Sequence, residues 1–431
     1  MDSPTDVRQR PLLPTEIWRM VYEQLPRSSL KTTAFVSREH YALSSEILFQ
    51  HLRLSMDSLE AFDNGNLKHL GGRVRYVSLT GLADQKRTIP EIFDLARIYC
   101  GSLGSFPNIK EIDIQFAATD AGRYELVVAV FHHLSQYTFY QTLSNLKVQT
   151  ISIEDNDPQF MRWMECLAKF SPETEEFLRP DGPDTGTCLA RYGRKDVPSP
   201  PALEQFTIIG GDMEYIDMTG MTIPWPVLYF QRSARAGTLK VLKLDAGCLM
   251  SWRSMLDEGL MEDSDVVLRY DSVVELAVMV PDLEGDFSET LEAAPEWFPN
   301  LEVLNIVGET HYVSGGSQDV MHAVHTGLSQ LPKLKRASIP WPHTECDEPD
   351  GSGDVRAVGA DKLEKDWYWY SGPLESLEYI EFVDGYDGSE APRTICRLLG
   401  KAGYRDTSAE RCTIRSEVVD PIFTSGYALI Y

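Results

Sequence analysis

Three histidine groupings and two glycine-rich hexamer-scale stretches hold the residues whose types could do chemistry. His132 and His133 are adjacent, His322 and His325 stand three apart, and His343 precedes Cys346 by three. Structural zinc needs four soft ligands in recognisable pairs, and no third and fourth ligand stands near any of these groups, so no metal is expected. The stretch "LLGKAG", Leu398 to Gly403, supplies Gly400 and Lys401 but places Ala402 where a phosphate-binding loop needs a magnesium-reaching hydroxyl. "GGSQD" around Ser317 has Gly315 but Asp319 where a nucleophile elbow needs its second glycine. The chain therefore reads as a non-catalytic protein without a cofactor. Its aromatic residues, Trp225, Trp252, Trp341 and the run "DWYWYSGP" from Asp366, are of the type that fills cores or anchors partners.

Composition narrows the class of partner. Hydrophobic residues at 43% and charged residues at 24% of 431 are globular values. The formal charge is −25, and residues 1–54 carry seven basic against six acidic residues, so the acidity belongs to the remainder, with 33 against 59. Such a field repels nucleic-acid phosphate and anionic lipid and favours basic partners. The longest purely apolar run, "LVVAVF" from Leu126 to Phe131, is far short of the roughly 20 residues of a membrane span. Neither nucleic acid nor membrane is an expected partner. The N-terminus has no apolar signal region, and seven cysteines stand without a C-x-x-C pair, which points to reduced thiols in the cytoplasm or nucleus.

The elements that would position any site come from a repeat. A template L-x-x-L-x-L, with other apolar residues allowed, starts at Val74, Ile109, Val148, Leu203, Leu239, Val273, Leu301, Leu334 and Leu377. Several copies are introduced by one phrase, as in "FPNIKEI", "FPNLEVL" and "LPKLKRA". The starts differ by 35, 39, 55, 36, 34, 28, 33 and 43 residues, longer than standard leucine-rich repeats. The excess is expected to hold helices in "IPEIFDLARIYCGSL", "ELVVAVFHHLSQY", "PQFMRWMECLAKF", "DVMHAVHTGLSQL" and "PRTICRLLGKAGY". Short strand alternating with helix predicts an α/β solenoid with a curved parallel sheet over 55–431. An ordinary α/β domain would share the alternation; the recurring phrase favours the solenoid. Proline- and acid-rich stretches predict surface loops at 171–201 and 343–366.

If the template marks strands, its first, fourth and sixth residues face a core and the third and fifth line the opposite face. The fifth residues read Ser78, Asp113, Ser152, Thr207, Lys243, Ala277, Asn305, Ser338 and Glu381. The third read Tyr76, Glu111, Thr150, Gln205, Val241, Glu275, Val303, Arg336 and Tyr379. A protein target is expected on this face, with Glu111, Asp113, Glu275 and Glu381 favouring its basic segments.

Ahead of the repeat stands "LLPTEIWRMVYEQL", Leu12 to Leu25, in which Pro14 suits a first helical position and Ile17, Met20, Val21 and Leu25 share one side. Ser28 or Ser29 can cap a second helix near Leu30, and Ser37 a third running through Tyr41, Leu48 and Leu52. A unit this small spends apolar residues on more than one face and needs a partner. The stretch Leu12 to Leu54 resembles the F-box motif through Leu13-Pro14, Glu16-Ile17 and Val36-Ser37-Arg38 in order. Tyr41 stands where many members carry tryptophan, and "ALSSEILFQHLRL" is similar to fungal versions. The resemblance implies a three-helix domain over 1–54 that binds the Skp-type linker of an SCF-type cullin–RING ubiquitin ligase. The chain would be its substrate-recognition subunit, working in ubiquitin-dependent degradation. Matched position by position, linker contacts fall to Leu13, Pro14, Ile17, Val21, Leu25, Leu30, Val36, Ser37 and Leu48. The alternative is a non-degradative repeat scaffold that uses the same helices for another protein.

Overall fold

The computed structural model describes residues 14–54, 71–79, 100–118, 134–152, 200–209, 215–216, 222–223, 233–245, 269–280, 286–308, 311–313, 317–345, 355–357, 359–370, 374–383, 393–403 and 412–417. Three short helices come first: α1, Thr15–Glu23; α2, Arg27–Thr33; and α3, Arg38–Leu48. Pro14 is the residue before α1 rather than its first turn, and its carbonyl accepts from Ile17 and Trp18. Pro26 precedes α2, so that helix starts three residues before Leu30 rather than after a serine cap. Ser37 caps α3 as expected, its hydroxyl accepting from the His40 amide at 3.3 Å.

The rest is α/β. The strands are β1 His51–Leu54, β2 Tyr76–Leu79, β3 Glu111–Ala118, β4 Asn145–Ser152, β5 Gln205–Ile209, β6 Tyr215–Ile216, β7 Thr222–Ile223, β8 Val241–Asp245 and β9 Glu275–Val280. They continue with β10 Val303–Gly308, β11 His311–Val313, β12 Arg336–Pro340, β13 Pro342–Glu345, β14 Val355–Ala357, β15 Tyr379–Val383, β16 Arg393–Leu399 and β17 Cys412–Glu417. Twelve of them form one sheet in the order β1-β2-β3-β4-β5-β8-β9-β10-β12-β15-β16-β17. Pairing is parallel from β1 to β15 and antiparallel from β15 to β17. Each strand thus lies beside the next one of the sheet in chain order, as a repeat requires.

The template predicts burial. Its first, fourth and sixth residues are buried in the first unit (Val74, Val77, Leu79), and so in the units at Ile109, Leu239, Val273, Leu301, Leu334 and Leu377. They join one core with Leu291 and Trp297 of α4 (Asp286–Trp297), Met321 and Leu328 of α5 (Ser317–Ser329), and Leu363 and Trp367 of α6 (Ala360–Tyr370). Burying each such leucine or isoleucine contributes about 1.5–3 kcal/mol. The helices cover one face of the sheet, and the third and fifth template residues lie on the other.

Five expectations need correction. The third unit begins at Leu143, not Val148, because Leu146 pairs with Ile112 and Val148 with Ile114, so Asn145 and Lys147 replace Thr150 and Ser152 on the polar face. The backbone fixes this, since the amide of Ser144 donates to Lys110 as the corresponding residue does in every other unit. His51–Leu54, grouped with the N-terminal helices, is the first strand of the sheet, paired with Tyr76–Leu79. "RTICRLL" is strand β16 rather than helix, and α4 was not expected at all. The stretch 343–366 is not one loop: it holds most of β13, all of β14 and the first half of α6. The helical stretch from Pro158 to Phe170 and the loop at 171–199 lie outside the described residues.

The glycines of "LLGKAG" have a packing role. A Cβ on Gly400 would stand 2.3 Å from the Leu377 carbonyl oxygen, and one on Gly403 2.3 Å from that of Glu378. These turns press backbone on backbone, with Gly400 N donating to Glu378 O at 2.8 Å and Ala402 N to Leu377 O at 3.0 Å. No helix among the described residues is long and apolar enough to cross a membrane. Gly400→Ala should destabilise the sheet by about 1–3 kcal/mol, as other overpacked sites do. Gly72→Ala, with nothing within 4 Å of the added carbon, should change stability by less than about 0.5 kcal/mol. Denaturant midpoints of the two variants check this, and equal midpoints would mean that the turn has room to spare.

Candidate functional site

In the N-terminal unit the side chains that hold the helices together are aromatic and polar. Trp18, Tyr22 and His40 form a ring cluster with centroids 5.3–5.8 Å apart, and the Tyr22 hydroxyl bonds His40 Nδ1. Arg19 of α1 bonds Glu46 of α3, and Thr33 Oγ1 lies 2.9 Å from Ser44 Oγ. With Tyr22 turned inward, the aliphatic side of α1 turns out: Ile17, Met20 and Val21 are exposed. So are Phe35 at 91%, Val36 at 68% and Tyr41. Of nine large apolar side chains exposed among the described residues, seven belong to 14–50. Soluble surfaces scatter such residues singly; their concentration in one small unit makes it a candidate contact surface.

The expected linker contacts divide accordingly. Pro14, Ile17, Val21, Val36 and Ser37 are exposed, Leu25 and Leu48 half-buried, and Leu30 buried at 4%. Leu13 lies outside the described residues. Met20, which shares the side of Ile17 and Val21, and Phe35 and Tyr41 join the exposed set without having been matched to the linker. For Phe35 the sequence held a signal: "AFV" places two large apolar residues side by side at a helix end, where both cannot face inward.

The second surface is the polar face of the sheet. Register places the third template residues in one row, His51, Tyr76, Glu111, Asn145, Gln205, Val241, Glu275, Val303, Arg336 and Tyr379. The fifth residues form a second row, Arg53, Ser78, Asp113, Lys147, Thr207, Lys243, Ala277, Asn305, Ser338 and Glu381. Most are half-buried rather than exposed, and Thr207 and Ala277 are buried. The rows hold four cations and four carboxylates, so this face is neutral within a strongly acidic chain.

Glu111 and Asp113 come together in a cleft of ≈ 340 Å³ lined also by His51, Arg53, Tyr76 and Lys147. The His51 ring stacks on Tyr76 at 4.2 Å, and Asn145 Nδ2 donates to Glu111 Oε2 at 3.2 Å. Burial raises the Asp113 carboxyl above the ordinary carboxylate range, against the pull of Lys147 and Arg53. Burial likewise lowers the Lys147 ammonium, opposed by Asp113 and reinforced by Lys243. Glu275 and Glu381 lie elsewhere, on β9 and β15. Glu381 accepts from Arg397 Nε at 2.6 Å, its side chain only 14% exposed, and the Arg397 guanidinium lies 4.2 Å over the Tyr379 ring. The four carboxylates therefore do not make one acidic surface. Charge reversal at Asp113 or Glu381 would set like charges against Lys147 or Arg397, so neither position accepts it freely.

Several of the other groups with chemical potential have structural surroundings among the described residues, while His132, His133 and Cys346 lie outside them. Gly400 and Lys401 sit in the close-packed turn, and Ser317 begins α5. His325 stands edge-on to Trp367 with centroids 6.3 Å apart, its pKa lowered by burial and by His322. The Cys396 thiol, 3.7 Å from Cys412 Sγ, is pushed up to about 12 by burial, the reverse of an activated nucleophile. Among the described residues no three His, Cys, Asp or Glu side chains are grouped to hold a metal.

No family model matches this sequence, and no curated protein matches it. Among solved structures, a crystal structure of a protein from Bacteroides fragilis aligns with 77% of this chain and 72% of its own at 12% identity. The TM-score is 0.38, a likeness from which neither fold nor activity is inferred.

Because the folded-state pKa of Asp113 is raised, its contribution to stability is greatest below the unfolded carboxylate pKa and is lost as pH rises through the folded one. Asp113→Asn removes that loss. The variant should gain stability relative to the parent between mildly acidic and neutral pH, measured by denaturant unfolding at several pH values. A relative loss over that interval would place a stabilising carboxylate at Asp113 and reverse the assignment.

Proposed function

We propose that this protein is the substrate-recognition subunit of an SCF-type cullin–RING ubiquitin ligase. In this reading α1–α3 are an F-box that binds the Skp-type linker, and the following leucine-rich-repeat-like solenoid presents a target protein on its polar face. The observation that carries the reading is the exposed apolar set Ile17, Met20, Val21, Phe35, Val36 and Tyr41, in the same N-terminal segment whose sequence holds the three F-box motif pieces in order. An isolated amphipathic helix would bury such residues on its own domain. A helical unit built to dock leaves them for a partner.

The protein catalyses nothing itself. Holding a target beside the charged conjugating enzyme raises the effective concentration of the target's lysines, converting a bimolecular encounter into one within an assembly. The reading places the protein in the cytoplasm or nucleus, where such ligases act.

Ile17→Ala with Val36→Ala should weaken linker capture by about thirtyfold or more, since truncating an anchor at a desolvated centre costs about 2 kcal/mol. Thermal stability should hardly change, because both residues are exposed. Pull-down with the Skp-type subunit and mass spectrometry of the complex recovered from cells check both points. Unweakened capture by the folded double variant defeats the F-box assignment. Recovery of partners without a cullin favours the non-degradative scaffold.

A further inference from the structure

The acid-centred reading of the polar face leaves its middle unused. Lys147, Thr207 and Lys243 are in-register neighbours on β4, β5 and β8. The two lysine backbones therefore stand two strand spacings, ~10 Å, apart across Thr207. Lys243 depresses the Lys147 ammonium, so the two charges are near enough to repel. Thr207 between them is buried, 2% exposed, and accepts from Gln205 Nε2 at 3.4 Å. The other row adds Asn145, Gln205 and Val241 here, none of them acidic. Asp113 offsets Lys147 on one side, while the in-row neighbour of Lys243 on the other is Ala277, with Glu275 diagonal to it.

We propose that this panel binds an extended, carboxylate-rich segment of a partner protein, seating one carboxylate between the ammoniums of Lys147 and Lys243. An acceptor-only carboxylate set between two ammoniums relieves their mutual repulsion. The asparagine and glutamine amides of the neighbouring row add donors for the backbone of the segment. The repulsion of the chain as a whole is screened beyond about 8 Å at physiological salt, so the local panel decides what docks. The proposal rests on the polar face being the target surface, and it replaces the preference for basic segments expected from the sequence.

The test uses the full chain and a fluorescein-labelled ten-residue peptide with glutamate at every second position, which puts its carboxylates on one side of an extended strand. Fluorescence anisotropy should report binding that weakens with added salt and disappears when glutamine replaces glutamate. Lys147→Met and Lys243→Met should each weaken it about tenfold, the scale of one charged hydrogen bond, and Lys243→Arg should keep it. Equal binding of the glutamine peptide, a preference for a lysine peptide, or unchanged binding in the folded Lys147→Met, Lys243→Met protein overturns the proposal. Linker capture by the same variants is a separate readout: they should retain it, and its failure in the parent protein would defeat the ligase reading while leaving the peptide result to stand on its own.

Discussion

One relay of backbone hydrogen bonds sets the register on which everything else depends. The amide of Lys110 donates to Arg75, that of Ser144 to Lys110, Glu204 to Ser144, Lys240 to Glu204, Val274 to Lys240, Glu302 to Val274, Lys335 to Glu302 and Glu378 to Lys335, all at 2.7–2.9 Å. All are second residues of their units. A slip of one residue anywhere along this line would turn leucines to water and lysines to the core. Side chains reinforce it from unit to unit. Asn108 Nδ2 donates to the carbonyl of Gly72, and Asn300 Nδ2 does the same to Asp271, which gives the asparagine of the "FPN" phrase its reason for recurring.

That dependence explains what could be read from the residues alone. Strand positions one, four and six were legible because burial of an aliphatic side chain is the strongest local preference in the chain, and the same spacing in nine units leaves few alternatives. The third unit was misread because "LSNLKVQTISI" fits the template twice, five residues apart, and only pairing with Ile112 and Ile114 chooses between them. "RTICRLL" failed for a related reason. Its Ile395, Leu398 and Leu399 suit a helix as well as a strand, and what decides the matter is antiparallel pairing on both sides, with Tyr379–Val383 and with Cys412–Glu417. Helix α4 carries Pro295 within it, a residue that reads as a helix breaker and masks its periodicity.

The candidate surfaces were legible in part. The polarity of the sheet's outer rows was visible, but its charge pattern was not, because neutralisation arises between strands far apart in sequence. Glu381 meets Arg397 and Asp113 meets Lys147 only once the units are stacked. In the N-terminal helices, amphipathicity was plain while its direction was hidden. The Trp18, Tyr22 and His40 cluster takes the inside, and the aliphatic stripe is left outside.

The relay also has a beginning. The carbonyl of Gln50 accepts from both Arg75 and Tyr76 at 2.9 Å, two residues after α3 ends and one before β1 starts. A helical head joined through a slack tether would sample many directions, and anything it held would wander relative to the sheet. Here the first rung of the ladder is also the neck of the head, so the joint behaves as a splint rather than a leash. A partner gripped at one end would then have less orientational entropy to lose at that joint than across a slack tether.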